Sequence, residues 1–202
     1  MITMEAFFLS KTKPDIFLIM HADHLDRWKE YCENYDFKIP HTLIPGGKTR
    51  SESVFKGLKE MVNQFGEESL PDWIAVHDAV RPLLSPDFID SGFNFAKKMG
   101  NSIPGLPLRD SIRKVDQTGS FALPRENYKL IQTPQIFPGK DLLKAYLNTI
   151  GENFSDDASL FESCNHTIHL MEGDQENIKI TYPLDLMIAE QILNKRENDQ
   201  EF

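Results

Sequence analysis

The chain has few cysteines, few positive charges and no long apolar run. Cys32 and Cys164 are its only cysteines, too few for a disulfide framework and without the spacing of metal ligands. No segment reaches the roughly 20 apolar residues of a membrane span. The N-terminus lacks the basic region and apolar run of a signal peptide. These absences predict a soluble, cytoplasmic protein.

Acidic residues outnumber basic residues in the chain as a whole. The 31 acidic and 22 basic residues give a net charge of −9, which disfavours non-specific binding to nucleic acid or to an anionic membrane. Neither is therefore expected as a partner, and an anionic ligand would need a local cluster of cations. With 202 residues, 40% of them hydrophobic, the chain is expected to form one domain spanning residues 1–202.

The apolar pattern predicts an α/β fold with a mostly parallel sheet. Continuous apolar runs, typical of strands buried on both faces, alternate with helical periodicity. The expected strands are 15–20, 41–45, 73–76, 101–108 and 166–171, and the expected helices are 25–35, 54–65, 88–99, 141–148 and 184–193, followed by a frayed polar tail.

Residues 109–132 depart from this alternation. Two strand-like pieces, 111–115 and 128–132, flank the polar turn DQTGS, and helical periodicity is missing. We predict that this segment is a β-arm that projects from the domain.

One candidate site follows the apolar run WIAV. Ligands of open α/β sheets bind beyond the carboxyl ends of the strands, where loops and helix N-termini converge. Asp78 and Arg81 come directly after such a strand. An ion pair that braces the turn before Pro82 would also account for these two residues.

A second candidate lies in the stretch IPGGKTRSESVFKGL. Gly46 and Gly47 allow the backbone to turn and to approach a ligand closely, and Arg50 offers a planar fork to a phosphate or carboxylate. A helix is expected to begin here, capped by Ser51 or Ser53.

Several other polar residues are weak signals individually. Asp156 and Asp157 could suggest a metal pair, but their place at a helix start favours capping. The remaining candidates each have an ordinary structural explanation and are Arg125, Thr133, Ser155 and Lys179.

Taken together, six motifs resemble the 2-C-methyl-D-erythritol 4-phosphate cytidylyltransferase family. They are GGKTRSESV, VHDAVRP, LRDS, QTPQIF, SDDA and EGDQENIKITYPLDL, in this order between Ile44 and Glu190. The resemblance implies a nucleotidyltransferase Rossmann-like fold of three layers and a homodimer joined through the β-arm. It also implies transfer of CMP from CTP to the alcohol phosphate with release of pyrophosphate, in non-mevalonate isoprenoid synthesis.

The resemblance also implies roles for individual residues. Gly46, Gly47, Arg50 and Ser53 would bind the cytidine nucleotide. Asp78 would bind a hydroxyl of the alcohol, supported by Arg81. The methylerythritol phosphate would be held by Arg125, Thr133, Ser155 and Lys179, of which Arg125, Lys179 and Asp78 are the expected catalytic residues. Mg²⁺ would be held mainly by the phosphates of CTP, without a dedicated protein site.

The sequence departs from the family pattern mildly at Ser111 and Ser155, which keep the hydroxyl of the more common Thr, and more clearly in two other places. Lys48 stands where an acid is common, and nothing matches the N-terminal strand and glycine-rich loop that wrap the triphosphate. We expect either that Met1 is internal to a longer protein, which the intact motifs favour, or that the chain is a degenerate member. The 202-residue chain itself is expected to be inactive if the reaction requires the triphosphate loop. Two alternatives therefore stay open, a ribitol 5-phosphate cytidylyltransferase and a non-catalytic protein of this fold.

Overall fold

The computed structural model describes residues 1–152 and 154–200. Its seven α-helices in this part of the chain are α1 (Ile2–Leu9), α2 (Leu25–Asn34), α3 (Arg50–Phe65), α4 (Pro86–Met99), α5 (Gly139–Asn148), α6 (Asp157–Ser163) and α7 (Pro183–Gln200). The strands are β1 (Phe17–Met20), β2 (Thr42–Pro45), β3 (Trp73–Val76), β4 (Ile103–Pro107), β5 (Ile112–Asp116), β6 (Gly119–Leu123), β7 (Lys129–Ile131), β8 (Gln135–Pro138) and β9 (Leu170–Glu172). No helix of the described residues is long and apolar enough to cross a bilayer.

The α/β class is confirmed, but the strand pairs are mixed rather than mostly parallel. β1 pairs with β2 and β4 with β9 in parallel, whereas β3 pairs with β8 and β4 with β7 in antiparallel fashion. A single bridge between Ser102 and Ile136 links β4 to β8. The strands β3, β8 and β4 thus form one continuous surface on which helices can pack.

Strand β8 separates two apolar layers. Successive side chains of a strand point to opposite faces, so Ile136 packs against α4 and Phe137 against α5 and α6, and both are fully buried. Helix α4 is fixed at both ends, by the Ser85 side chain capping its N-terminus and by Gly100 in left-handed conformation after its last residue. The result is a helix–sheet–helix sandwich in this half of the molecule.

A cavity of about 730 Å³ lies between β1 and β3. All four residues of each strand line it, and within the described chain neither strand pairs with another on this side. None of the residues of β1 or α2 is fully buried. The sheet is therefore discontinuous at this point.

The predicted arm is smaller than residues 109–132. Its hairpin consists of β5 and β6, and almost all of its residues are exposed. The expected strand at 128–132 instead forms β7 at the edge of the main sheet, because its backbone pairs with β4.

Other elements also differ from the prediction. The strand β8 was not predicted, and the strand expected at 166–171 is only Leu170–Glu172. The polar tail is helical, since α7 continues to Gln200. In this part of α7, Arg196 Nη2 lies 2.6 Å from Glu176 Oε2 and donates to the carbonyl of Leu83. These contacts hold the helix against the domain after its last apolar residue, Leu193.

Candidate functional site

Asp78 is the centre of a charged cluster at the carboxyl end of β3. Its carboxylate accepts hydrogen bonds from Arg50 Nε at 3.3 Å and from Lys179 Nζ at 3.1 Å. Arg81 Nε lies 3.9 Å away. The structure thus brings together residues that are up to 101 positions apart in the sequence.

The cluster contains more positive than negative charge. Burial alone would raise the pKa of Asp78, but the hydrogen bond from Lys179 and the charge of Arg50 outweigh it and lower this pKa. With Asp157, which also contacts Arg50, two carboxylates face three cations. An acidic protein has therefore formed a locally cationic site that suits an anionic ligand.

Arg50 is the first residue of α3 and contacts both carboxylates. Its Nη2 atom lies 2.6 Å from Asp157 Oδ2, and Asp157 in turn accepts a hydrogen bond from the hydroxyl of Tyr146. Burial would lower the pKa of Arg50, but the charges of Asp157 and Asp78 raise it. Burial raises the pKa of Asp157, while Arg50 favours its charged form.

A buried hydrogen-bond chain fixes the backbone of Asp78. The carbonyl of Arg81 can only accept, so His77 donates to it from Nε2, at 3.0 Å. Burial lowers the pKa of His77 to about 4, and its neutral Nδ1 therefore accepts from the Thr133 hydroxyl at 2.9 Å. That hydroxyl accepts from the backbone N–H of Asp78 at 3.1 Å. Thr133 thus has both its proton and an oxygen lone pair engaged within the protein.

The segment that carries Lys179 is fixed by buried amides. Asn177 is fully buried and donates from Nδ2 to the carbonyl of Thr133 at 2.8 Å, while its own carbonyl accepts from Arg81 Nη1 at 2.9 Å. The side chain of Gln132 also donates to the Asn177 carbonyl. Lys179 is therefore positioned two residues after a rigid point, although its side chain is 47% exposed.

The Gly46–Gly47 turn packs against the first turn of α3. A β-carbon on Gly47 would lie 2.4 Å from the side chain of Glu52, so no larger residue fits without displacement. Ser53 accepts from the N–H of Gly47 and donates to the carbonyl of Thr49. The predicted caps, Ser51 or Ser53, were wrong, because Thr49 caps α3 by accepting from the N–H of Glu52 at 3.1 Å.

Five predicted residues lie outside the contacts of Asp78: Gly46, Gly47 and Ser53, which contact one another and the start of α3, and also Arg125 and Ser155. Arg125 is exposed near the arm and donates to the backbone carbonyl of Arg109. Ser155 is exposed just before α6, and its hydroxyl lies 3.4 Å from that of Ser159. Asp156 caps α6 as predicted, through a reciprocal capping box with Ser159.

Sequence reasoning missed five residues that hold the site together. The acids of SDDA predict a helix start and nothing more for Asp157. One acid is enough to cap a helix, so the second, adjacent acid was a signal of another role. His77, between the strand and Asp78, was a second signal. The sequence gives no comparable indication for the buried polar partners Tyr146, Gln132 and Asn177.

The described residues contain no group of three or more His, Cys, Asp or Glu side chains able to hold a metal ion. Asp78 is already contacted by three cations. The cluster is thus suited to binding phosphate groups and hydroxyls rather than to forming a metal cage from protein ligands.

Comparison with known families supports a specific chemistry. Residues 1–195 match the family model described as "IspD: 2-C-methyl-D-erythritol 4-phosphate cytidylyltransferase". A relative of that name from Bacteroides fragilis is 38% identical over 191 residues, which cover 95% of this chain and 84% of the relative. A relative of the same name from Dehalococcoides mccartyi is 36% identical over 195 residues, 96% of this chain and 82% of the relative.

Solved structures show the same fold. The chain aligns with 4-diphosphocytidyl-2C-methyl-D-erythritolsynthase from Anaerococcus prevotii with a TM-score of 0.82 and 27% identity, over 96% of this chain and 84% of the other. It aligns with 2-C-methyl-D-erythritol 4-phosphate cytidylyltransferase from Thermus thermophilus with a TM-score of 0.76 and 26% identity, over 95% and 86% of the two chains.

Proposed function

Because the chain belongs to the 2-C-methyl-D-erythritol 4-phosphate cytidylyltransferase family, we propose that it transfers CMP from CTP to 2-C-methyl-D-erythritol 4-phosphate. The alcohol phosphate attacks the α-phosphorus of CTP, a new P–O bond forms, and the bond to the β-phosphate breaks to release pyrophosphate. The product belongs to isoprenoid synthesis.

The cationic cluster around Asp78 is the observation that supports this proposal. The reaction pushes two anions together, so catalysis depends on positioning and on stabilising negative charge. Lys179 and Arg81 offer such charge beside a carboxylate that can accept a hydrogen bond from an alcohol hydroxyl. No covalent intermediate with the protein is needed.

The roles of individual residues extend this proposal. Lys179 binds the phosphate of the alcohol and Asp78 its hydroxyl, with Arg81 as support. The turn at Gly46 and Gly47 and the start of α3 bind the cytidine. Thr133 acts through the backbone of Asp78, since its hydroxyl is already engaged by His77. Ser155 and Arg125 bind the same phosphate from outside the cluster.

Mg²⁺ is proposed to arrive with CTP. Its ligands would be phosphate oxygens and water, since the described residues offer no acidic cluster of their own. The bound ion would neutralise charge on the departing pyrophosphate.

The exposed arm is proposed to join two copies of the chain. Val115 and Phe121, on β5 and β6, are large apolar side chains that are 74% and 51% exposed and could be covered by a second copy of the hairpin. Arg125 follows the hairpin, so docking of two arms would allow it to reach the second copy's site. Sedimentation velocity of the 202-residue chain should show a dimer, and a monomer at all concentrations would contradict this arrangement. A cytoplasmic location is proposed because both cysteines are free thiols.

The proposed reaction is tested by pyrophosphate release from CTP and Mg²⁺ with two alcohol phosphates. We expect turnover with 2-C-methyl-D-erythritol 4-phosphate and little with ribitol 5-phosphate. The substitution Asp78→Asn should lower kcat at least about 100-fold, because it removes the charge that orients Lys179 and Arg50. Asp26→Asn, the same change at a 97% exposed side chain on α2, is the matched control and should leave kcat unchanged.

Two outcomes would contradict the proposal. Turnover of ribitol 5-phosphate alone would show that the alcohol substrate is ribitol 5-phosphate and not 2-C-methyl-D-erythritol 4-phosphate. Absence of pyrophosphate with either compound would contradict catalysis by the 202-residue chain, in which nothing matches the glycine-rich loop that wraps the triphosphate. It would favour a non-catalytic protein of this fold only if a form that carries such a loop is also inactive.

A further inference from the structure

Asp157 has no assigned part in the reaction, yet it is the most deeply buried carboxylate of the site. Its side chain is fully inaccessible to solvent. Capping does not require it, because Asp156 caps α6. A buried carboxylate costs free energy unless its partners compensate for lost hydration. Its retention therefore calls for an explanation other than local helix stability.

Its contacts connect the core to the site. Arg50 Nη2 lies 2.6 Å from Asp157 Oδ2, and Arg50 Nε donates to Asp78 Oδ1 at 3.3 Å. The other oxygen of Asp157 accepts from the Tyr146 hydroxyl, and the Tyr146 ring stacks on Phe55 with ring centroids 6.1 Å apart. One guanidinium thus bridges a fully buried carboxylate and the carboxylate at the centre of the site.

The geometry of the guanidinium makes this bridge directional. Its five N–H donors lie in one plane, so the ion pair of Nη2 with Asp157 Oδ2, a charge contact without hydrogen-bond geometry, restricts the directions in which Nε can point. Tyr146 and the surrounding core fix Asp157, and Asp157 then fixes Arg50. A lysine could not do the same, because an ammonium is a point charge on a flexible stem.

We propose that Asp157, held by Tyr146, is a positioning residue: it fixes Arg50 so that Arg50 holds the carboxylate of Asp78 in its working orientation. The assignment of a catalytic consequence rests on the cytidylyl transfer proposed above. The structural part, that Arg50 leaves Asp78 when Asp157 is neutralised, is independent of any reaction.

A purely electrostatic role for Asp157 predicts the opposite result. If Arg50 stayed in place after Asp157→Asn, the loss of a nearby negative charge would lower the pKa of Asp78 further. If Arg50 instead moves away, Asp78 loses both a hydrogen bond and a nearby positive charge, and its pKa rises. The sign of the change therefore separates the two roles.

The decisive experiment is a pH titration of the Asp78 carboxyl carbon by NMR in the full 202-residue chain, assigned by comparison with Asp78→Asn. In Asp157→Asn we expect the pKa of Asp78 to rise by about one unit. A fall, or no change, overturns the proposal. Because no substrate is present, this result stands whether or not the chain proves to be a cytidylyltransferase.

Tyr146→Phe is the alternative variant if Asp157→Asn does not fold. This substitution removes a hydrogen bond that favours the charged form of Asp157. If Asp157 became neutral while Arg50 stayed in place, the pKa of Asp78 would fall, so only a rise reports movement of the groups around Asp78. A rise supports positioning, and an unchanged value overturns it.

Kinetics then test the catalytic consequence. Asp157→Asn should lower kcat about 10- to 100-fold and also raise KM for CTP, because Arg50, the first residue of α3, is proposed to bind the cytidine. The control is Leu160→Ala, which loosens the same helix at a buried position of the apolar core and removes no charge or hydrogen-bonding group. Equal losses of kcat in both variants would overturn a specific role for Asp157.

Discussion

The two sides of the sheet differ in how completely they are packed. Around β8, helices cover both faces, and Ile136 and Phe137 are fully buried. In β1 all four residues are partly exposed, and the cavity of about 730 Å³ separates them from β3. The folding free energy is therefore concentrated in one half of the molecule, because apolar area buried on folding is its main favourable term.

The candidate site lies on the boundary between these halves. Asp78 follows β3, the strand of the packed half that borders the cavity. Arg50 is the first residue of α3, the helix that also covers β1. Both line the cavity. The position of Asp78 thus depends on the packed half, and the position of Arg50 depends on the helix that covers the open half. Substitutions in each half test whether the two halves differ in stability.

The largest effect is expected for Ile136→Ala in the packed half. Removing this fully buried side chain should lower the free energy of unfolding by about 2–5 kcal/mol, since it leaves a cavity between β8 and α4. Urea denaturation followed by circular dichroism measures this loss. A cost below about 1 kcal/mol would mean that the sandwich around β8 is not the stable part.

An intermediate effect is expected from pH at the boundary. His77 is buried with its pKa lowered to about 4, whereas it titrates near 6.5 when unfolded. Between these values the unfolded chain binds more protons, so stability is complete above pH 6.5 and is lost as pH falls toward 4, by about 3 kcal/mol from this group.

Denaturation midpoints of wild type and His77→Gln between pH 7 and pH 4 test this. The difference in stability between the two proteins should shrink as pH falls. His21→Gln, which changes an exposed histidine, should keep the full acid dependence of the wild type. A constant difference between wild type and His77→Gln would contradict the buried, neutral state of His77.

The smallest effect is expected for Ile19→Ala, the matched substitution in the open half. Ile19 lies against α3 at Gly57 and also borders the cavity, so one side of its side chain has no packing partner. The expected cost is about 1 kcal/mol or less. A loss equal to that of Ile136→Ala would remove the distinction between the two halves.

Local sequence was enough to predict elements whose pattern is self-contained. WIAV is β3 as predicted, and the helix around 88–99 lies within α4. The position of Asp78 beyond β3 followed from the same reasoning, since side chains after a buried strand lie at a sheet edge.

Pairing between distant segments was not predictable. Residues 128–132 have a strand-like pattern that fits both a strand of the arm and a strand of the main sheet. They form β7 of the main sheet because their backbone pairs with that of β4. The link between Asp157 and Arg50 has the same origin, because it depends on α6 meeting the start of α3 in space.

The cavity beside β1 should affect how fast the backbone amides of this region exchange their hydrogens with solvent. Amides of β1 and β2, such as those of Leu18 and Ile44, hydrogen-bond between two strands with few fully buried side chains, so they should exchange with deuterium through partial unfolding. Amides of β8 should exchange only when the whole chain unfolds. A nucleotide that touches both Arg50 and Lys179 would join these two cooperative units and slow exchange in the first of them.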